Sequence, residues 1–147
     1  MALMALLDES AVKVPLLAKD KAGIIRELVD LLSASGKVND SEALLRAVLE
    51  RESLGSTGLE NGIAVPHGKT DAVKDVCLAV GVAPEGVDFD SADGKPSRLF
   101  FLLAAPKGKA GPHIAALSEI ARLAHSASLI GALVRAKDSA ELLDLLR

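Results

Sequence analysis

Apolar residues recur at helical spacing early in this chain, switch to strand-like patterns in the middle, and return to helical spacing towards the end. After a short apolar run, "AVKVPLL", Asp20 precedes "KAGIIRELVDLLSASG". Ile24, Ile25, Leu28, Leu31 and Leu32 share one face of a 3.6-residue period there, and Gly36 supplies a stop. Asn39 and Asp40 open a second helix with Leu44, Leu45, Val48 and Leu49 on one face. It runs to "ERES", so Arg51 stands at a C-terminal end, where cations are favoured. In "DVCLAVGVA", Val76, Leu78, Val80 and Val82 alternate with Cys77, Ala79, Gly81 and Ala83, which predicts a strand. "PEG" reads as a turn, "VDF" as a short extended piece, and Asp93-Gly94 as a further turn. "RLFFLLAAP" is apolar without a break, as in a central strand covered on both faces. From about Pro112 the helical period resumes through "HIAALSEIARLAH" and "SASLIGALVRA". "KDSAELLDLLR" then places Asp138 three residues before Glu141, close to a capping box. Helices, then strands, then helices predict an α/β fold with a mixed sheet between helical layers.

Composition narrows the function more than the fold. The 147 residues, half of them hydrophobic, suit one domain over 1–147 with a single core and no need of metal or disulfide support. Three Phe, with no Trp or Tyr, give no stacking platform for single-stranded nucleic acid. A formal net charge of −3 offers no attraction to a phosphate backbone or an anionic membrane. Cys77, the single cysteine, makes no internal disulfide and no zinc site by itself, and its apolar mid-strand setting reads as a small buried thiol. The opening "MALMALLDES" lacks a basic n-region and a small-residue cleavage site, and no run approaches the roughly 20 apolar residues of a membrane span. These features predict a soluble, cytoplasmic protein without membrane insertion.

The densest polar chemistry lies in "GSTGLENGIAVPHGKT", residues 55–70. Its Gly68-Lys69-Thr70 ending imitates a nucleotide-binding loop, but Ile63 stands where that pattern requires glycine. The apolar, proline-containing "IAVPH" cannot present a run of N–H donors, so the nucleotide reading fails. "GSTG" is not the Gly-x-Ser-x-Gly elbow of a serine hydrolase either. The histidines are His67, His113 and His125. On one helix His113 and His125 would sit about 120° apart at 100° per residue. Neither a His-x-x-x-His nor a Cys-x-x-Cys pair occurs, so no metal is expected.

A histidine on a polar loop is usually just solvated, but His67 lies between Pro66, which restricts the chain, and Gly68, which lets a partner approach closely. Gly55, Gly58 and Gly62, with Ser56 and Thr57, offer N–H and hydroxyl donors for an anion. A histidine nucleophile needs one bare ring nitrogen and the other N–H pinned by an acceptor, and a phosphoryl group on it needs balancing donors. Arg51 at a helix end and His113 near a helix start are candidates for that balance. Taken singly, each is more simply an ordinary helix-end residue.

Together these residues resemble a known signature. "RESLGSTGLENGIAVPHGKTD" is similar to the type-2 enzyme IIA domains of the bacterial phosphoenolpyruvate:sugar phosphotransferase system, the fructose–mannitol class with its nitrogen-regulatory relatives. "FFLLAAPKGKAGPHIAALSEIARL" resembles the same family's second signature, and the likeness covers nearly the whole chain. The resemblance implies a three-layer α/β/α sandwich around a mixed sheet. It implies that His67 takes a phosphoryl group from the phosphocarrier HPr, on Nε2, and passes it to a IIB domain without metal or cofactor. It makes His113 a stabiliser of the phosphoryl group, Arg51 an electrostatic support, and Ser56 and Thr57 part of the pocket wall; His125 matches no site residue. The donor and acceptor histidines must meet, so His67 should lie in a shallow depression with an apolar rim. The fructose class is the leading reading. Alternatives are a nitrogen-regulatory protein that controls partners without delivering sugar and a binding module that has lost the chemistry.

Overall fold

The computed structural model describes the backbone of residues 2–146 and, apart from Ala2 and Met4, their side chains. In chain order the elements are α1 (Ala2–Leu6), β1 (Val12–Lys13), α2 (Lys21–Ala34), α3 (Ser41–Ser53), β2 (Ile63–Ala64), β3 (His67–Lys69), β4 (Cys77–Val87), β5 (Ser97–Ala105), α4 (Ala110–Leu123), α5 (Ala127–Val134) and α6 (Ser139–Leu146). The start signals work as read: the Asp20 carboxylate accepts from Gly23 N–H at 2.7 Å and Asp40 from Ala43 N–H at 3.1 Å. Asp138 does the same for Glu141 N–H at 2.9 Å.

The sheet runs β1-β4-β5, and β2 and β3 follow one another end to end along the far edge of β5. β4 and β5 are antiparallel, whereas β1 on β4 and both β2 and β3 on β5 are parallel, so the sheet is mixed. Leu78, Val80, Leu99, Phe101 and Leu103 face a cluster with α4, α5 and α6; Ala79, Phe100, Leu102 and Ala104 face one with α2 and α3. The result is an α/β/α sandwich in one domain, as the periodicity and the resemblance both predict. No single helix among the described residues is long and apolar enough to cross a membrane.

Two elements differ from the sequence reading. "PEG" is not a free turn but lies within β4, where 83–86 stand opposite Arg98 alone, between the pairs Val82↔Leu99 and Val87↔Ser97. Gly86 absorbs this bulge at φ +83°. His67 is on a strand rather than a loop. Three residues are too few to show a period, and β3 exists because it pairs with β5 through His67↔Leu103 and Gly68↔Ala104.

That pairing aims the site. Leu103 belongs to the α4 side of the sheet, so the two-residue alternation sends His67 towards α4 and Gly68 towards α3. A Cβ on Gly68 would lie 2.9 Å from Val48 N and 3.0 Å from Ala47 C. Glycine is therefore needed because α3 crosses β3 backbone to backbone; the close approach is internal, not that of a partner. Gly68→Ala is expected to cost about 1–3 kcal/mol, the usual range for overpacking against an immovable backbone. Denaturant midpoints at constant m would measure it, and a loss below about 0.5 kcal/mol, the ordinary range for a surface substitution, would refute the contact.

Candidate functional site

His67 is half-buried, and its Nδ1 lies 2.8 Å from the Val65 carbonyl oxygen. A carbonyl only accepts, so Nδ1 carries the proton and donates it, leaving the lone pair on Nε2. The Val65 carbonyl is itself positioned by a short hairpin. Val65 N–H donates to Thr57 O at 3.0 Å and Leu59 N–H to Ile63 O at 2.7 Å. Asn61 and Gly62, at φ 61° and 82°, turn the chain between them.

His113 arrives from the first turn of α4, and its ring meets that of His67 edge-on, with centroids 5.6 Å apart and planes at 80°. It is 3 % exposed, yet neither ring nitrogen has a hydrogen-bond partner among the described residues. A polar ring buried without partners beside a poised nucleophile is costly in the resting protein and useful once an anion arrives. Both rings, with Arg51, Lys69 and Gly68, line one concavity whose apolar members include Ala47, Leu54, Ile114 and Leu117. Leu54 and Ile114 are 84 % and 62 % exposed, which makes them an apolar rim of the expected kind. Arg51, in the last turn of α3, donates through its guanidinium to Gly55 O at 2.9 Å. The structure thus brings His67, His113 and Arg51 to one cavity.

Ser56 and Thr57 are not among the residues that line that cavity, and their polar atoms turn elsewhere. The Ser56 hydroxyl donates to Phe89 O and accepts from Gly58 N–H at 3.0 Å. Thr57 is buried and gives both its donors to the Glu52 carboxylate: the N–H at 2.9 Å and the hydroxyl at 2.5 Å. These hydroxyls and the Thr57 and Gly58 N–H groups are therefore spent within the fold rather than offered to an anion. Sequence reasoning missed Glu52 and Lys69. Glu52 adjoins Arg51 in a polar "ERES" run that looks solvated, and only the tertiary contact shows it to be buried. Among the described residues no group of three or more His, Cys, Asp or Glu is placed to hold a metal ion. Cys77 is buried, and that burial raises its thiol to about 11, well away from thiolate chemistry.

Burial holds the His67 imidazole below the ordinary histidine range. The Val65 hydrogen bond and the Glu52 charge oppose this, while Arg51 and Lys69 add to it. His113 is lowered too, by burial first and then by His67 and Lys69. Both rings are therefore neutral at neutral pH, which leaves His67 Nε2 free to act as a base or nucleophile. The unfolded chain binds protons that the folded one refuses, so these histidines contribute stability fully above the unfolded value of about 6.5 and lose it as pH falls through their lowered values. The melting temperature is expected to hold above about pH 7 and to decline on acidification below about 6.5, before the carboxylates titrate. Replacing both histidines should flatten that decline in calorimetry, and an equally steep slope in the double variant would reject this origin.

The family of the phosphoenolpyruvate-dependent sugar phosphotransferase system, EIIA 2, matches residues 5–147. The chain is 36 % identical over 146 residues to a fructose-specific EIIABC component of Bacillus subtilis, covering 99 % of this chain but 23 % of that protein. It thus spans about a quarter of that relative's length. Its fold is similar to the nitrogen regulatory protein IIA-Ntr of Neisseria meningitidis, with a TM-score of 0.91 at 29 % identity over 100 % of both chains. It is also similar to the mannitol enzyme IIA of Escherichia coli, solved in complex with phosphorylated mannitol enzyme IIB, with a TM-score of 0.81 at 29 % identity over 95 % of this chain and 96 % of that one.

Proposed function

The chain belongs to the type-2 EIIA family of the phosphotransferase system, and from that membership we propose that it is a histidine phosphocarrier, accepting a phosphoryl group from HPr on His67 Nε2 and passing it to a IIB domain. One observation carries this reading: Nδ1 of His67 is committed to the Val65 carbonyl while the ring of His113, whose nitrogens bond to none of the described residues, stands edge-on to it. The Nε2 lone pair forms the new P–N bond as the donor histidine's P–N bond breaks, and the donor nitrogen recovers the electron pair. The phosphorylated ring keeps its Nδ1 proton and gains positive charge, which the Val65 carbonyl oxygen stabilises. Positioning and electrostatics supply the catalysis, as a loose phosphoryl transition state demands. Arg51 and a protonated His113 nitrogen are the groups available to balance the phosphoryl oxygens.

The fructose class is favoured by similarity over 99 % of this chain to part of the fructose-specific relative. The regulatory reading is favoured by the close structural match to the nitrogen regulatory protein. Incubation with labelled phosphoenolpyruvate, enzyme I and HPr tests the common core: the chain should take up acid-labile, base-stable label, with the phosphorus on Nε2 by NMR. An unlabelled chain would leave the inert binding module. Onward transfer to a fructose-class IIB domain supports transport, and label retained in its presence supports regulation.

A further inference from the structure

We infer that Glu52, paired with Lys21, is a positioning residue for phosphoryl transfer, holding His67 in its productive orientation through Thr57 and the backbone of Val65. The inference rests on His67 being the phosphoryl acceptor. The route is continuous. Lys21 Nζ lies 2.7 Å from Glu52 Oε2, whose side chain is 5 % exposed. That carboxylate accepts from the N–H and hydroxyl of Thr57, the Thr57 carbonyl accepts from Val65 N–H, and the Val65 carbonyl accepts from His67 Nδ1–H.

Each link has a reason to be where it is. A buried carboxylate is costly unless paired and hydrogen-bonded, and Glu52 has three such contacts, which fixes its position. Lys21 is anchored in turn by the Phe89 carbonyl at 3.5 Å, the Asp90 carboxylate at 3.5 Å and the Phe89 ring at 5.0 Å. The Ser56 hydroxyl also donates to Phe89 O, so the loop of residues 55–58 is held from both α3 and the β4–β5 connection. Loss of the Glu52 contacts frees the Thr57 peptide and with it the carbonyl that selects the tautomer. A ring released from Val65 takes the Nε2–H tautomer more often, and that form has no lone pair on the nitrogen that must attack.

The direct readout is the His67 tautomer in the unphosphorylated protein, from long-range ¹H–¹⁵N NMR above the pH at which the ring titrates. The wild type should be overwhelmingly Nδ1–H. Glu52→Ala should shift the tautomer ratio by about fivefold to tenfold, the equilibrium worth of one net hydrogen bond, and slow transfer from HPr to match. Thr57→Val keeps the backbone links and removes only the hydroxyl, so it should shift both in the same direction by less, and Thr57→Ser should restore them. If Glu52→Ala does not fold, the Thr57 pair decides. A folded Glu52→Ala, or a Thr57→Val, with wild-type tautomer and wild-type transfer overturns the proposal. So does a lowered melting temperature with an unchanged tautomer, which would assign Glu52 to stability alone. The tautomer is read without phosphorylation, so an unlabelled wild type would defeat the phosphocarrier reading while leaving this result intact.

Discussion

His67→Ala is expected to carry no label when incubated with labelled phosphoenolpyruvate, enzyme I and HPr under conditions that saturate the wild type. The expectation is total loss because no other nucleophile is ready to replace it. His113 is buried, its ring edge-on to that of His67. His125 is exposed beyond the C-terminal end of α4, outside the concavity. The Cys77 thiol is buried and stays protonated near neutrality. The fold should survive the change. His67 is half-exposed, and β3 is held by backbone pairing to β5 that alanine preserves. Circular dichroism and the melting transition should therefore stay close to wild type. Label persisting on a folded His67→Ala chain would remove the central claim, because the acceptor would lie elsewhere.

The layers of this fold could be read in advance because they rest on long apolar patterns. Nine-residue β5 has no polar interruption after Arg98, and α2 and α3 carry clean one-sided periods with Asp caps. Such signals are local and survive without tertiary context. β2 and β3 carry no such signal: at two and three residues they are defined by the edge of β5 rather than by their own composition. The bulge in β4 was hidden for a related reason. Pro84 and Gly86 are turn residues by propensity, and only the pairing of Val87 with Ser97 keeps the chain in the sheet.

The site divides in the same way. His67 was legible because Pro66 and Gly68 flank it, and His113 and Arg51 because they sit at predictable helix ends. The loop of residues 55–58 is harder to read, because a Ser-Thr-Gly run shows its donors but not where they point. Glu52 takes both donors of Thr57, and Ser56 turns to Phe89. Glu52 itself was hidden because a carboxylate is rarely buried unless paired, and its partner Lys21 lies on another helix. What sequence could not supply was which polar groups satisfy one another and which are left over.

What is left over is His113, and its replacement gives the second large effect. At 3 % exposure both ring nitrogens lack hydrogen-bond partners among the described residues, so His113→Ala breaks no hydrogen bond to any of them. It leaves a cavity beside His67 but also removes a buried polar group, and these costs oppose each other. Stability should thus change little, while transfer should slow by about 10²–10³, the usual penalty for deleting one donor aimed at developing negative charge. His113→Gln retains an N–H donor on a chain of similar reach and should recover part of the rate. Rapid-quench measurement of label uptake from HPr separates this from slower binding, since the loss should persist at saturating HPr. A His113→Ala chain that transfers at the wild-type rate would make the ring a packing element. A chain that merely unfolds more easily, with its rate per folded molecule intact, would do the same. Slow transfer at preserved stability is the outcome that only a phosphoryl-facing donor produces.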